Sequence, residues 1–167
     1  MKMTKQKRTP LALLLIAALV SIDQWTKGMA VEHLKGSAAV PLIPGWLELK
    51  YSENRGAAFG LLQDGRIFFL IVTVAVLIAM VWFYYRIPDK KRYLPILILL
   101  PIIAAGAIGN LIDRLLNGFV VDFVYLSIIN FPIFNLADIF VSWSAVLLII
   151  LMIFKYNDED YKELFRK

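Results

Sequence analysis

Cysteine is absent from the 167 residues, and histidine occurs once, at His33. The first absence excludes disulfides, thiolate metal sites and a cysteine nucleophile. The second argues against a Ser-His-Asp triad and leaves no HExxH zinc motif, and His33 itself reads as a surface residue. Ser142 and Ser144 have no lysine at their depth, so a Ser-Lys dyad is weak. No phosphate-cradling glycine loop and no Gly-x-Gly-Asp sequence occurs. Charge is scarce as well: 19% of the residues are charged, 60% are apolar, and mean hydropathy is +0.70. A soluble domain lies nearer half apolar, so lipid is the expected solvent. The length allows one compact domain, and the chain carries no internal repeat or linker.

Four apolar runs are present, at about Leu11–Thr26, Ile67–Tyr85, Leu94–Ile112 and Ile139–Phe154. Crossing the hydrocarbon takes roughly 17–25 helical residues. The first and last runs reach that length once the polar residues at one end of each are helical and face protein. The expected spans are therefore about 10–27, 67–85, 94–113 and 137–154, in a mainly α integral membrane protein. The first run has a basic start but no good small-x-small cleavage site, and it carries Asp23 and Lys27. A retained helix is expected there, not a cleaved signal peptide.

The net charge of +5 reflects topology. Twelve of the 18 Lys and Arg fall in three clusters: the N-terminal tail, residues 86–92, and the C-terminal tail. The positive-inside rule puts both termini in the cytoplasm, and no nucleic-acid partner is expected. Two external segments follow, about 28–66 and 115–136. Trp46–Tyr51 alternates in part and reads as a strand. Phe119–Tyr125, after an Asn117-Gly118 turn signal, reads as another. A small β-cradle on the outer surface is expected.

The costly residues are more informative. At ~1.5 Å per residue, Asp23 lies ~18 Å along the first helix and Lys27 ~24 Å; Asn110 lies ~24 Å along the third, with Asp113 and Arg114 just beyond. Asp138 lies near the outer end of the fourth. Polar groups of three helices thus share one layer, where each is expensive unless it faces a cavity or a partner. Bland readings exist for each. Asp23 and Lys27 make an i, i+4 ion pair. Ala105 and Gly109 form a small-xxx-small packing pair, which explains the glycines but not Asn110, Asp113 and Arg114 together; those three can still be structural glue. Asn135 with Asp138 spells a capping box. Asp122 is harder to dismiss: it is an acid inside a Val/Phe-rich strand with no basic neighbour there. A second carboxyl able to reach Asp138 makes an aspartic dyad, one general base and one general acid for peptide hydrolysis. On these grounds a protease, a proton-conducting carrier and a docking scaffold all stay open. The carrier lacks acids in the inner halves of the helices, and the scaffold leaves Asp122 unexplained.

Five ordered blocks carry a family resemblance: Asp23-x-x-x-Lys27, Asn54-Arg-Gly-Ala-Ala-Phe-Gly60, Gly109-Asn-Leu-Ile-Asp-Arg114, Val121-Asp122-Phe123 and Phe134-Asn-Leu-Ala-Asp138. Together they resemble the lipoprotein signal peptidases, also called signal peptidase II, over nearly the whole chain. The resemblance implies a bacterial cytoplasmic-membrane aspartic endopeptidase with its site on the outer face and without metal or organic cofactor. The implied substrate is a prolipoprotein whose lipobox cysteine carries a diacylglyceryl group, cut just before that cysteine. The implied dyad is Asp122 and Asp138. Asp23, Lys27, Asn54, Gly56, Asn110, Asp113, Arg114 and Asn135 are implied to support the pocket or bind substrate. The implied partners are lipidated prolipoproteins, membrane lipids and cyclic peptide inhibitors such as globomycin, with the enzyme a monomer. Because a helix N-terminus favours negative charge, Asp138 is expected ionised at rest and Asp122 protonated.

Overall fold

The computed structural model describes residues 5–56 and 65–165. Four long helices form a bundle: α1 (Lys5–Leu34), α2 (Arg66–Arg86), α3 (Leu94–Leu116) and α4 (Leu136–Phe154). These four are long and apolar enough to cross a membrane. Their outward faces expose large apolar side chains, among them Leu14, Trp25, Ile67, Ile78, Trp143 and Phe154. Lipid accepts such a surface, and a helix satisfies its own backbone there.

The third helix is central, packing on α1, α2 and α4. Between helices in lipid the hydrophobic effect supplies little, and small residues that permit close approach do the packing. A methyl added at Gly106 would run into the Ala137 carbonyl and lie 2.8 Å from Val141 Cγ2; one added at Gly109 would run into the Asp23 carboxylate. These two glycines set how closely α3 meets α4 and α1.

One end of the bundle carries a three-stranded antiparallel sheet in the order β1 (Val40–Ile43), β2 (Leu47–Asn54), β3 (Val120–Tyr125). The expected strands correspond to β2 and β3, while β1 adds a third across a turn at Gly45, whose φ of +74° suits glycine. Ser52 faces Asp122 in register, and the pairing is irregular between Leu49 and Ser52. The first helix runs further than its expected span, so residues 28–34 of the anticipated external segment are helical. The reason is packing: Ala30 and Leu34, one turn apart, bury against Val121 and Phe123.

The opposite end is tied by polar clamps. Arg8 is buried and donates to the carbonyls of Ile87 (2.8 Å) and Tyr84 (3.0 Å), which lie at the C-terminal end of α2 where helical partners run out. A short helix, α5 (Asp158–Leu164), not expected from the sequence, follows α4. Asp160 receives Arg92 on both oxygens, and the Tyr93 hydroxyl donates to Glu163 at 2.7 Å and lies 3.2 Å from Asp160. Burial of Tyr93, Ile96, Tyr156 and Leu164 completes this corner.

Candidate active site

The route from β3 to α4 places the two candidate carboxyls. After β3 the chain turns back through Asn130, and Phe134 pairs with Val124: its N–H donates to the Val124 carbonyl at 3.0 Å and its carbonyl accepts from Val124 at 2.8 Å. That return sets Asn135 and the first turn of α4 beside Asp122. Asn135 is the N-cap. Its Oδ1 accepts from the Asp138 N–H (3.0 Å), and Asp138 Oδ2 accepts from the Asn135 N–H (3.1 Å). The capping box read from sequence is therefore present. It occupies one carboxylate oxygen of Asp138, and the other accepts from Asn110 Nδ2 at 2.8 Å.

Asp122 is 2% exposed. Its Oδ1 accepts from Asn135 Nδ2 (2.6 Å) and its Oδ2 from Asn54 Nδ2 (3.0 Å). Asn135 thus touches both acids, capping the helix of one while donating to the other. Burial first, and the charge of Asp138 second, push the Asp122 carboxyl up to about 7, against the pull of the Asn54 and Asn135 hydrogen bonds.

Both acids line one cleft of about 890 Å³ between the sheet and the bundle. Asn54, Gly56 and Arg114 line it too, and the segment Phe131–Phe134 supplies an apolar wall. Gly56 donates its N–H to Asn54 Oδ1 (3.1 Å), which orients the amide that holds Asp122. Residues 57–60 of the block Asn54–Gly60 lie outside the described residues. Arg114 stacks over the Phe69 ring at 5.0 Å and donates to the Asn110 carbonyl at 3.3 Å.

Behind the cleft is a buried polar layer. Lys27, 3% exposed, sends its ammonium to Asp23 (2.9 Å), Asp113 (3.1 Å) and Asn110 (2.9 Å). An ammonium has three protons, and three acceptors meet it. Asp23 Oδ1 in turn accepts from the Ala137 N–H (3.0 Å), and Asp113 Oδ2 from the Val121 N–H (3.0 Å). All ten residues singled out from the sequence fall in this region, five on the cleft and five behind it. Gln24 was missed. Its amide nitrogen lies within hydrogen-bond distance of Asp23, Asp113 and the Gly109 carbonyl, two protons among three acceptors. The available signal was a polar amide inside an apolar run. Among the described residues no group of three or more His, Cys, Asp or Glu is placed to hold a metal ion.

Four membrane-length helices, with a cleft between bundle and sheet that two carboxyls line, define a multi-pass membrane protein. The family model for signal peptidase (SPase) II matches residues 15–154. A lipoprotein signal peptidase from Caldanaerobacter subterraneus subsp. tengcongensis is 42% identical over 146 residues, covering 87% of this chain and 97% of that one. The Streptococcus pneumoniae lipoprotein signal peptidase is 34% identical over 147 residues, covering 88% and 95%. Two bacterial membrane enzyme structures obtained by the in meso method, at 2.3 and 1.9 Å, superpose with TM-scores of 0.78 and 0.76. They are 33% and 34% identical and cover 95% and 89% of this chain, which spans 94% and 96% of theirs. The chain belongs to the signal peptidase II family and is a peptidase.

Proposed function

We propose that this peptidase is an aspartic endopeptidase that removes the signal peptide from diacylglyceryl-modified prolipoproteins, cutting before the lipidated cysteine, with Asp122 and Asp138 as the catalytic pair. The observation that carries the reading is that Asp122 and Asp138 line one cleft and share Asn135 as a hydrogen-bond partner. The names of the relatives supply the substrate class.

In the mechanism, a water sits between the two carboxyls. Asp138, at the positive end of α4, is the ionised member and takes a proton from that water. Asp122, its carboxyl held near 7, carries the proton and donates a hydrogen bond to the scissile carbonyl oxygen. As the water oxygen bonds to the carbonyl carbon, Asp122 passes its proton to the carbonyl oxygen, giving a gem-diol. The carbon–nitrogen bond then breaks as the proton held by Asp138 passes to the leaving amine and one gem-diol hydroxyl returns its proton to Asp122, which restores both carboxyls to their starting states. Atoms balance with one water consumed and no cofactor.

The cleft suits such a substrate. Its Phe131–Phe134 wall faces apolar chains, while Asn54, Arg114 and the acids supply polar contacts for a peptide backbone. The clustering of Lys and Arg at the end that holds both termini supports a cytoplasmic location for them and an extracytoplasmic cleft in the bacterial cytoplasmic membrane. On the same reading cyclic peptides such as globomycin occupy the carboxyl pair, and the enzyme works as a monomer. The test is cleavage of a lipidated prolipoprotein peptide by purified enzyme. D122N and D138N should each lower kcat by at least about a thousandfold while remaining folded, as a cooperative thermal melt shows. Near-normal turnover in both would end the dyad reading.

A further inference from the structure

We infer that Gln24 is a positioning residue that fixes the separation of Asp122 and Asp138, an inference that rests on the dyad reading. Each of these acids follows a residue whose N–H is held by a carboxylate of a neighbouring helix. Val121, before Asp122, donates to Asp113 Oδ2 at 3.0 Å; Ala137, before Asp138, donates to Asp23 Oδ1 at 3.0 Å. The spacing of the pair is therefore inherited from the spacing of Asp23 and Asp113.

Two side chains join those supports. Lys27 bridges Asp23 Oδ2 and Asp113 Oδ2. Gln24 Nε2 bridges Asp23 Oδ2 (3.2 Å) and Asp113 Oδ1 (3.1 Å), and reaches the Gly109 carbonyl (3.2 Å). Among the described residues, Gln24 is the one hydrogen-bond donor to Asp113 Oδ1. Lysine contributes charge; the amide contributes donors without charge, which lets two carboxylates stay close on one cation. Gln24 is not among the residues that line the cleft. Its effect on catalysis passes through the two supports, so it belongs in kcat and not in KM.

The substitutions Gln24→Met and Gln24→Glu separate shape from hydrogen bonding. Met keeps the length of the side chain and removes the donor. In Gln24→Glu the introduced carboxyl would face Asp23 and Lys27 of its own helix and Asp113 of α3. Ionised, it repels both carboxylates; protonated, it donates through its O–H. Cleavage of a diacylglyceryl-modified prolipoprotein peptide in detergent micelles gives kcat and KM from pH 5.5 to 8. Q24M should lower kcat by about tenfold or more with KM within about twofold. The kcat of Q24E relative to the parent at the same pH should rise by about tenfold or more from pH 8 to 5.5. A Q24M kcat within about twofold of the parent, a loss confined to KM, or a flat Q24E ratio would each overturn the assignment. If Q24M does not fold, judged by its thermal melt, the Q24E ratio decides. D122N runs alongside: its normal turnover would remove the dyad reading itself, whereas an inactive D122N beside a normal Q24M removes only the role of Gln24.

Discussion

Lysine 27 offers the sharpest test of how the bundle is held. Its ammonium is 3% exposed and lies 2.9 Å from Asp23 and 3.1 Å from Asp113, whose side chains are 0% and 3% exposed. Replacing it by Met keeps the volume of the stem and removes the charge. Two carboxylates would then share a dry site with no cation. Removing one partner of a buried ion pair typically costs about 3–5 kcal/mol, because the remaining charge stays uncompensated. For a chain of this size each kcal/mol moves Tm by about 2–4 °C, so K27M should melt at least about 6 °C lower. The assay is thermal unfolding of purified protein in detergent, with K35M as the control. Lys35 pairs with Glu53 at the surface, with more than half of its side chain in solvent, and its loss should leave Tm nearly unchanged. Adding D23N to K27M should recover part of the deficit, since a neutral amide needs no counter-charge and its oxygen can still accept from Ala137. A K27M melt within about 2 °C of the parent would refute the reasoning, because it would mean that the carboxylates are not charged on Lys27 in the folded state.

Further outcomes follow from the same geometry. Asp122 is held near 7, well above its ordinary value of about 3.9, so its contribution to stability is full below about pH 4 and is lost as pH rises toward 7. D122N should therefore raise Tm over the parent at pH 8 but not at pH 4, as read by melts across that range. Asp160, outside the membrane, is held at about 2, chiefly by the Arg92 hydrogen bonds, and shows the opposite sign. Its contribution is present above about pH 4 and lost as pH falls toward 2, so the Tm deficit of D160N should close over that interval while cleavage at pH 7 is unaffected. Gly109→Ala drives a methyl into the Asp23 carboxylate; it should cost about 1–3 kcal/mol in a melt and lower kcat in the cleavage assay.

The sequence carried the four apolar helices and two of the three strands, because hydrophobic run length and alternation are local signals. The polar layer was legible for a related reason: Asp23, Lys27, Asn110 and Asp113 are each too costly in an apolar run to lack a purpose. Asp122 stood out as an acid in a strand of Val and Phe. Asn135 and Asp138 read locally as a helix cap first, and only Asp122 shifts that balance toward a site; in the structure the box is closed, and Asp138 lines the cleft as well. What stayed hidden is non-local. The role of Gln24 depends on how α1 is rotated against α3, which no spacing within α1 reveals. The extension of α1 to Leu34 is fixed by packing on a strand about ninety residues away. The α5 clamp depends on a pairing between Arg92 and Asp160, on opposite sides of the α3–α4 hairpin in sequence.

Asn135 begins a helix and touches an acid on a strand with the same side chain. The start of the fourth helix and the closing of the cleft are consequently one event. A nascent chain threaded into the bilayer without that first turn has Asp122 and Asp138 but no shared geometry between them. On the dyad reading, any change that frays this first turn also unseats the Asn135 contact to Asp122, so loss of the helix start and loss of the pair's geometry come together.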